Sequence, residues 1–280
     1  MSKFTNPHQL QSIGLFALIA SLIRNRELIA QMIKREIVGR YKGSIFGLAW
    51  SLLNPILMLV IYTFVFSVVF KARWGGDNSG GSTEFATILF CGMIVFGLFS
   101  EPVNRSPGLV LANVNFVKKV MFPLEILPVI SIGTSLFHAI VSFLVLMIAF
   151  IVFNGYLNWT VIFIPLIIIP IVFFILGLSW ILASLGVYIR DVGQSIGILT
   201  SILMFLSPVF YSINALPSKF QFWMMLNPLS FIIEEVRAVL IYGKMPHWGM
   251  LALYTMGSVI FMWCGFAWFQ KTKKGFADVL

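Results

Sequence analysis

Six stretches of this chain approach the run of about 20 apolar residues that a helix needs to cross a bilayer core. They lie at about 45–70, 85–103, 126–153, 160–187, 195–211 and 248–269, the second and fifth being short. Little charge is left for anything else. Of 280 residues, 59% are apolar and only 10% are Asp, Glu, Lys or Arg. A soluble domain carries about 25% charged residues, enough to coat a water-facing surface. A soluble enzyme, a disordered chain and a nucleic-acid-binding domain are therefore excluded. The expected fold is all-α and integral to the membrane: one domain over residues 1–280 with six transmembrane helices.

The basic residues orient those spans. The net charge is +9, and in a membrane protein an excess of Lys and Arg marks the cytoplasmic loops. Fourteen of the 19 basic residues fall before about residue 45, in 104–125, at Arg190 and after about residue 270. The alternate loops hold five, at Lys71, Arg73, Lys219, Arg237 and Lys244. An even number of spans then places both termini in the cytoplasm. The first 21 residues hold one cation, Lys3, and no small-residue cleavage site after an apolar run, so the N-terminus is expected to be kept. Cys91 and Cys264 sit in apolar runs and read as small core residues, with no disulfide or metal-ligand spacing.

Four segments outside the spans carry further signals. Residues 22–42 have helical periodicity, with Leu22, Leu28, Ile29, Met32, Ile33 and Ile37 on one broad face. Arg26, Glu36 and Arg40 interrupt that face. The pattern reads as a basic amphipathic helix in the cytoplasmic headgroup layer, with a helix packed on protein as the alternative. Residues 71–84 are Gly- and Ser-rich and read as an outer loop. Between Pro107 and Pro123 there is room for a short cytoplasmic helix over 107–122. Residues 207–246 are too apolar for a wet loop and are broken by Pro208, Pro217, Pro228 and Pro246. They read as two short helices meeting at Asn227–Pro228, a re-entrant hairpin over 212–245 lining a passage, or else a pair lying flat on the outer surface.

No catalytic constellation can be assembled. There is no Gly-rich phosphate loop, and His8, His138 and His247 are far apart in sequence. His138 lies inside the third span, where a neutral ring bonded to a neighbouring helix is the ordinary arrangement. Carboxylates are absent from the middle of the spans, which argues against a proton- or sodium-coupled carrier. Trp50, Trp74, Trp159, Trp248 and Trp268 fall near span ends, as interfacial belts require. Phe210, Tyr211, Phe220, Phe222 and Trp223 fit a belt less well. Aromatic faces stack on the apolar faces of sugar rings, so this group suits a carbohydrate path.

The run Glu36-x-x-x-Arg40-Tyr41-x-x-Ser44-x-x-Gly47-x-x-Trp50, followed by Asn54–Pro55, resembles the start of the ABC-2-type permeases that export cell-surface polysaccharides. Arg190–Asp191, then Ser207-Pro208-Val209-Phe210-Tyr211, Asn227-Pro228-Leu229, Glu234 and Arg237 are similar to the second half of that pattern. The agreement covers about residues 30–245. The family includes O-antigen, capsule and teichoic-acid exporters. The resemblance implies a six-span permease with an N-terminal interface helix, a cytoplasmic coupling helix and outer re-entrant gate helices. It implies a homodimer in the bacterial inner membrane, docked on two copies of a separate ATPase subunit that bind ATP and Mg. The chain itself then needs no cofactor, metal or catalytic residue. The implied cargo is polysaccharide on a polyprenyl diphosphate lipid. On that reading Arg24, Arg26, Lys34, Arg35 and Arg40 attract the diphosphate headgroup, to which Arg offers bidentate contacts and which membrane lipids also imitate. Asn113, Asn115, Lys118 and Lys119 face the ATPase, and the 212–245 hairpin with its aromatics seals the outer mouth. A permease for another lipid or a drug is the first alternative, and an integral membrane transferase a distant one.

Overall fold

The computed structural model describes residues 14–70, 82–117 and 122–280. Among the described residues every regular element is a helix. Helices α1 (Leu15–Arg24) and α2 (Arg26–Arg40) precede α3 (Trp50–Tyr62), which continues as a π-helical stretch, Thr63–Val69. Then come α4 (Ser82–Arg105), α5 (Val114–Val117), α6 (Ile126–Asn154) and α7 (Ile164–Tyr188). The chain ends with α8 (Val192–Phe205), α9 (Ser218–Met225), α10 (Pro228–Leu240), α11 (Trp248–Thr272) and α12 (Phe276–Val279).

Among the described residues, five stretches are long and apolar enough to cross a membrane: Gly47–Phe66, Glu84–Gly108, Ile126–Asn154, Trp159–Tyr188 and Trp248–Gly275. The expected fifth span, 195–211, differs. Helix α8 has 14 residues, about 21 Å of helix, against a bilayer core of about 30 Å. Pro208 explains the early stop: it has no N–H to continue the ladder, and it disfavours helical backbone at Ser207.

The spans are unequally packed. Of the apolar stretch in α4, 78% is buried, against 11% in the stretch containing α3. So α4 is central and α3 peripheral. Helix α6 packs along α4, and α11 packs along α7 in the most extensive pairing. That second pairing depends on small residues. A Cβ on Gly177 would fall 2.8 Å from the Phe261 carbonyl oxygen, and one on Gly265 would overlap the Gly177 backbone. Close backbone approach through Gly is how membrane helices gain contact without a hydrophobic drive between them.

Long-range bonds fix the two ends of the bundle. At one end the Ser21 hydroxyl donates to Glu125 at 3.0 Å and Lys273 Nζ donates to the same carboxylate at 2.9 Å. Tyr188 donates to the Thr272 carbonyl there, and Pro107 packs on Gly186. The N-terminal helices, the turn after α4, the α7–α8 corner and the C-terminal residues are thus gathered at one end. These are the segments that carry the excess of Lys and Arg. At the opposite end Asn158 Nδ2 donates to the Leu240 and Ile241 carbonyls, each at 3.1 Å. Buried Glu235 accepts from the His247 amide at 3.0 Å and meets its ring Nδ1 at 2.6 Å.

Candidate functional site

Two of the three charges that interrupt the apolar face of α2, Glu36 and Arg40, lie four residues apart and therefore on one side of the helix. That side faces the bundle. Arg105 donates to Glu36 at 2.9 Å, and Arg40 pairs with Glu101. Glu101 and Arg105 are themselves four apart on α4, so two pairs of opposite polarity set the register of α2 on α4. Thr134 of α6 adds a bond to Glu36 at 3.3 Å, and Ile33 fills the space a side chain on Gly133 would need. The four charged groups are partly exposed, so each pair contributes about 0–1 kcal/mol and supplies register more than stability.

Between the end of α2 and helices α3, α4 and α6 lies a cavity of about 330 Å³. Each wall is one stripe at helical spacing. Helix α3 supplies Ser51, Asn54, Pro55, Met58 and Tyr62; α4 supplies Phe90, Ile94, Gly97 and Glu101; α6 supplies Ser135, His138 and Ser142. Arg40 and Tyr41 close the basic end, and the rings of Tyr62 and Phe90, 6.3 Å apart, line the other. Pro55 lacks an N–H, which leaves the Ser51 carbonyl without its usual helical donor. Tyr41 Oη lies 3.5 Å from His138 Nδ1. Burial raises the Tyr41 phenol above its ordinary value, with Arg40 drawing it down and Glu101 pushing it up, so the hydroxyl stays neutral. Ser135 Oγ and His138 Nε2 are buried and have no hydrogen-bond partner among the described residues. His138 stands out in the sequence as an ionisable residue inside a span, and the serines are marked there as well. Ser135, His138 and Ser142 are spaced three and four apart, a polar stripe along an otherwise apolar span.

At the opposite end the chain after α8 is non-helical yet buried, Ser207 and Val209 both being fully covered. Such backbone survives at membrane depth only where protein satisfies it. Arg237 does so from α10. Its guanidinium, itself fully buried, donates to Pro208 O, to Val209 O at 2.9 Å and to Ile88 O at 3.2 Å, and pairs with Glu234 at 3.0 Å. Asn227 supplies the rest, its Nδ2 reaching the Leu206 carbonyl at 3.1 Å and Ser207 Oγ at 2.9 Å. Its Oδ1 caps α10 by accepting from the Leu229 amide at 2.9 Å. The Ser207–Pro208, Asn227–Pro228 and Arg237 motifs thus form one hydrogen-bonded knot.

The remaining sequence-derived residues are less concentrated. The expected helix over 22–42 is two helices, broken at Asn25, whose side chain donates to the Ser21 carbonyl at 2.8 Å. Arg24, Arg26, Lys34 and Arg35 are exposed, and none forms an ion pair with a described residue. Arg40 differs from them, being engaged by Glu101. Phe210 and Tyr211 stay by the knot: Phe210 stacks on Phe205 at 5.7 Å, and Tyr211 donates to the Phe205 carbonyl at 2.8 Å. Phe220, Phe222 and Trp223 stand exposed on α9. In the 107–122 region the described residues form three short turns, Ser106–Gly108, Leu111–Asn113 and α5, in place of one continuous helix. Asn113 turns its side chain back to the Leu109 carbonyl at 2.8 Å, the kind of local bond that competes with a helical ladder. Asn115 is exposed; Lys118 and Lys119 lie outside the described residues, as do Lys3, His8 and most of the 71–84 loop.

Known proteins resemble this chain over nearly its full length. The O-antigen export system permease protein RfbA of Myxococcus xanthus is 25% identical over 263 residues, covering 93% of this chain and 98% of that one. The protein of the same name from Klebsiella pneumoniae is 27% identical over 257 residues, covering 91% and 95%. The polysialic acid transport protein KpsM of Escherichia coli is 24% identical over 243 residues, covering 86% and 91%. The profile of the family described as ABC-2 type transporter matches residues 27–241, from the start of α2 through the end of α10. That stretch contains the paired charges of α2 and α4, the cavity and the Arg237 knot, and its extent decides the assignment: this chain belongs to the ABC-2 type transporter family.

Proposed function

We propose that the chain is the membrane subunit of an ATP-driven exporter that moves lipid-linked polysaccharide, of the O-antigen kind, from the cytoplasmic to the outer face of the bacterial inner membrane. The observation that carries this is the end-to-end match to O-antigen export permeases. The working unit is a homodimer on two copies of an ATPase subunit, which bind ATP and Mg. Helix α3 and helix α8 support the dimer. Both are poorly covered within one copy, and α8 bears a groove of Gln194, Gly197, Ile198, Ser201, Ile202 and Phe205. Gln194 and Ser201 on an otherwise apolar exposed face suit a wet passage between copies better than lipid. Helix α8 with the chain that Arg237 supports makes the sixth crossing, and both termini lie in the cytoplasm.

Arg24, Arg26, Lys34 and Arg35, on the outward sides of α1 and α2, draw in the anionic diphosphate. Asn113, Asn115, Lys118 and Lys119 meet the ATPase, and α9 with α10 closes the outer mouth. Co-expression with a nucleotide-binding subunit and reconstitution into proteoliposomes tests the proposal. A stable complex should move polyprenyl-diphosphate-linked glycan across the bilayer only with ATP. Recovery of the chain alone, or movement independent of ATP, would contradict it.

A further inference from the structure

Helix α2 is held to the bundle by little apolar burial, Met32 being its one buried residue. Both of its ends are jointed. Asn25 separates it from α1, and Gly43 and Gly47, with φ of 86° and 50°, turn the chain toward α3. Apolar contact is non-directional, so a helix held in this way could slide along its neighbours. The charges decide where it stops. Glu36 meets Arg105 and Arg40 meets Glu101, so α2 and α4 run antiparallel where they touch. Sliding α2 by one turn in one direction would bring Glu36 opposite Glu101. One turn the other way would bring Arg40 opposite Arg105. Each slip breaks both attractions and adds a repulsion between like charges. Reversing the polarity of one pair alone would keep both pairs and remove that repulsion. The order of the charges therefore specifies something that pairing by itself does not. Fixing register is an attested use of such polar patterns between packed helices.

We propose that Glu36, Arg40, Glu101 and Arg105 are positioning residues for export, a register lock that makes α2 travel with α4. The proposal rests on the exporter reading above and deepens it. Helix α4 ends at Arg105 and passes straight into the turns Ser106–Gly108 and Leu111–Asn113, the segment that meets the ATPase in that reading. The joint is tight: Ser106 and Pro107 are buried, and Ser106 Oγ donates to the Pro102 carbonyl at 2.6 Å. A displacement of those turns reaches the last turn of α4, where Glu101 and Arg105 sit, and the lock passes it to α2. Helix α2 carries Arg26, Lys34 and Arg35, three of the four exposed cations assigned to the diphosphate. The push of the ATPase is thereby delivered to the lipid headgroup. Each partly exposed pair is weak alone. Register follows from the difference between two attractions in place and a repulsion after a slip, not from the strength of either pair.

The test uses the purified complex with its ATPase in nanodiscs, with spin labels on cysteines placed at Val38 of α2 and Ile148 of α6. Both positions are exposed, and exposed Cys264 is replaced by Ser. Helix α2 runs parallel to α6, Ile33 lying by Gly133 and Tyr41 by His138, so a one-turn slip changes the label distance by about 5 Å. The unaltered quartet should give one distance with and without ATP. Glu36→Arg with Arg105→Glu reverses one pair. Both ion pairs can still form, so the melting temperature should hold, yet a second distance should appear in about a tenth of the molecules or more. Glycan moved per ATP should fall at least about twofold in the same variant. Adding Arg40→Glu and Glu101→Arg reverses both pairs, restores the like-charge penalty and should return the single distance. A single distance in the one-pair variant overturns the lock, as does a second distance that persists in the four-site variant. A slipped register with glycan moved per ATP unchanged overturns the positioning role. Absence of ATP-driven glycan movement with the quartet unaltered counts against the exporter reading, while the distances still decide the lock.

Discussion

A guanidinium that donates to the carbonyls of Ile88, Pro208 and Val209 does for the chain after α8 what another helical turn would do elsewhere. Arg suits the task because its planar fork presents several donors at once and stays charged. Arg237→Ala should strand three buried carbonyls and part of the Glu234 interaction. The expected cost is roughly 2–4 kcal/mol, read as a lower melting temperature of the purified complex. Arg237→Lys should recover only part of it, since an ammonium cannot reach all three acceptors in one geometry. A variant as stable as the wild type would remove Arg237 from this role. The residue was visible in sequence as one member of a motif, but its role was not. Its partners are backbone carbonyls 28, 29 and 149 positions away, and no side-chain pattern announces them. The partners of Glu36 and Arg40 are hidden for the same reason. The two charges look like faults in an apolar face because Arg105 and Glu101, which answer them, lie 69 and 61 residues along the chain.

The elements divide by how firmly they are held. Helix α10 buries Leu229, Ile232, Ile233, Val236, Val239 and Leu240 completely and is pinned by Arg237. Helix α9 buries only Met224 and exposes Phe220, Phe222 and Trp223. If the two form a gate, the movable half is α9, with Asn227–Pro228 as its hinge. Hydrogen exchange should show this directly. Amides of α10 should exchange at least about tenfold more slowly than those of α9, because opening α10 requires the buried knot to come apart. Similar protection in both helices would show that they move as one. Long apolar elements were easy to locate in sequence, since hydropathy alone marks 126–153 and 160–187. The two half-helices around Asn227–Pro228 were legible as well, because Pro punctuates them. The break at Asn25, the short turns over 106–117 and the burial of the non-helical chain after α8 are not. Each depends on a side chain or a buried Arg satisfying the backbone locally, which periodicity does not register.

At the scale of the whole molecule, the single copy is a well-packed bundle of α4, α6, α7, α10 and α11 with two loosely attached apolar helices, α3 and α8. A second copy of the chain would cover part of those faces, and the polar stripe of Gln194 and Ser201 would face the passage between copies. The cavity beside α3 and the exposed cations of α1 and α2 sit at the basic end, where a cytoplasmic lipid headgroup would arrive. Export of lipid-linked polysaccharide by this chain can be tested by deleting its coding sequence in the source cell, leaving the polymer-synthesising enzymes intact and following the glycan by extraction and surface labelling. Polymer still attached to its lipid should build up inside the cell and disappear from the surface, and the intact chain should restore it. Normal surface polymer in the deletion strain, with none retained inside, would contradict it.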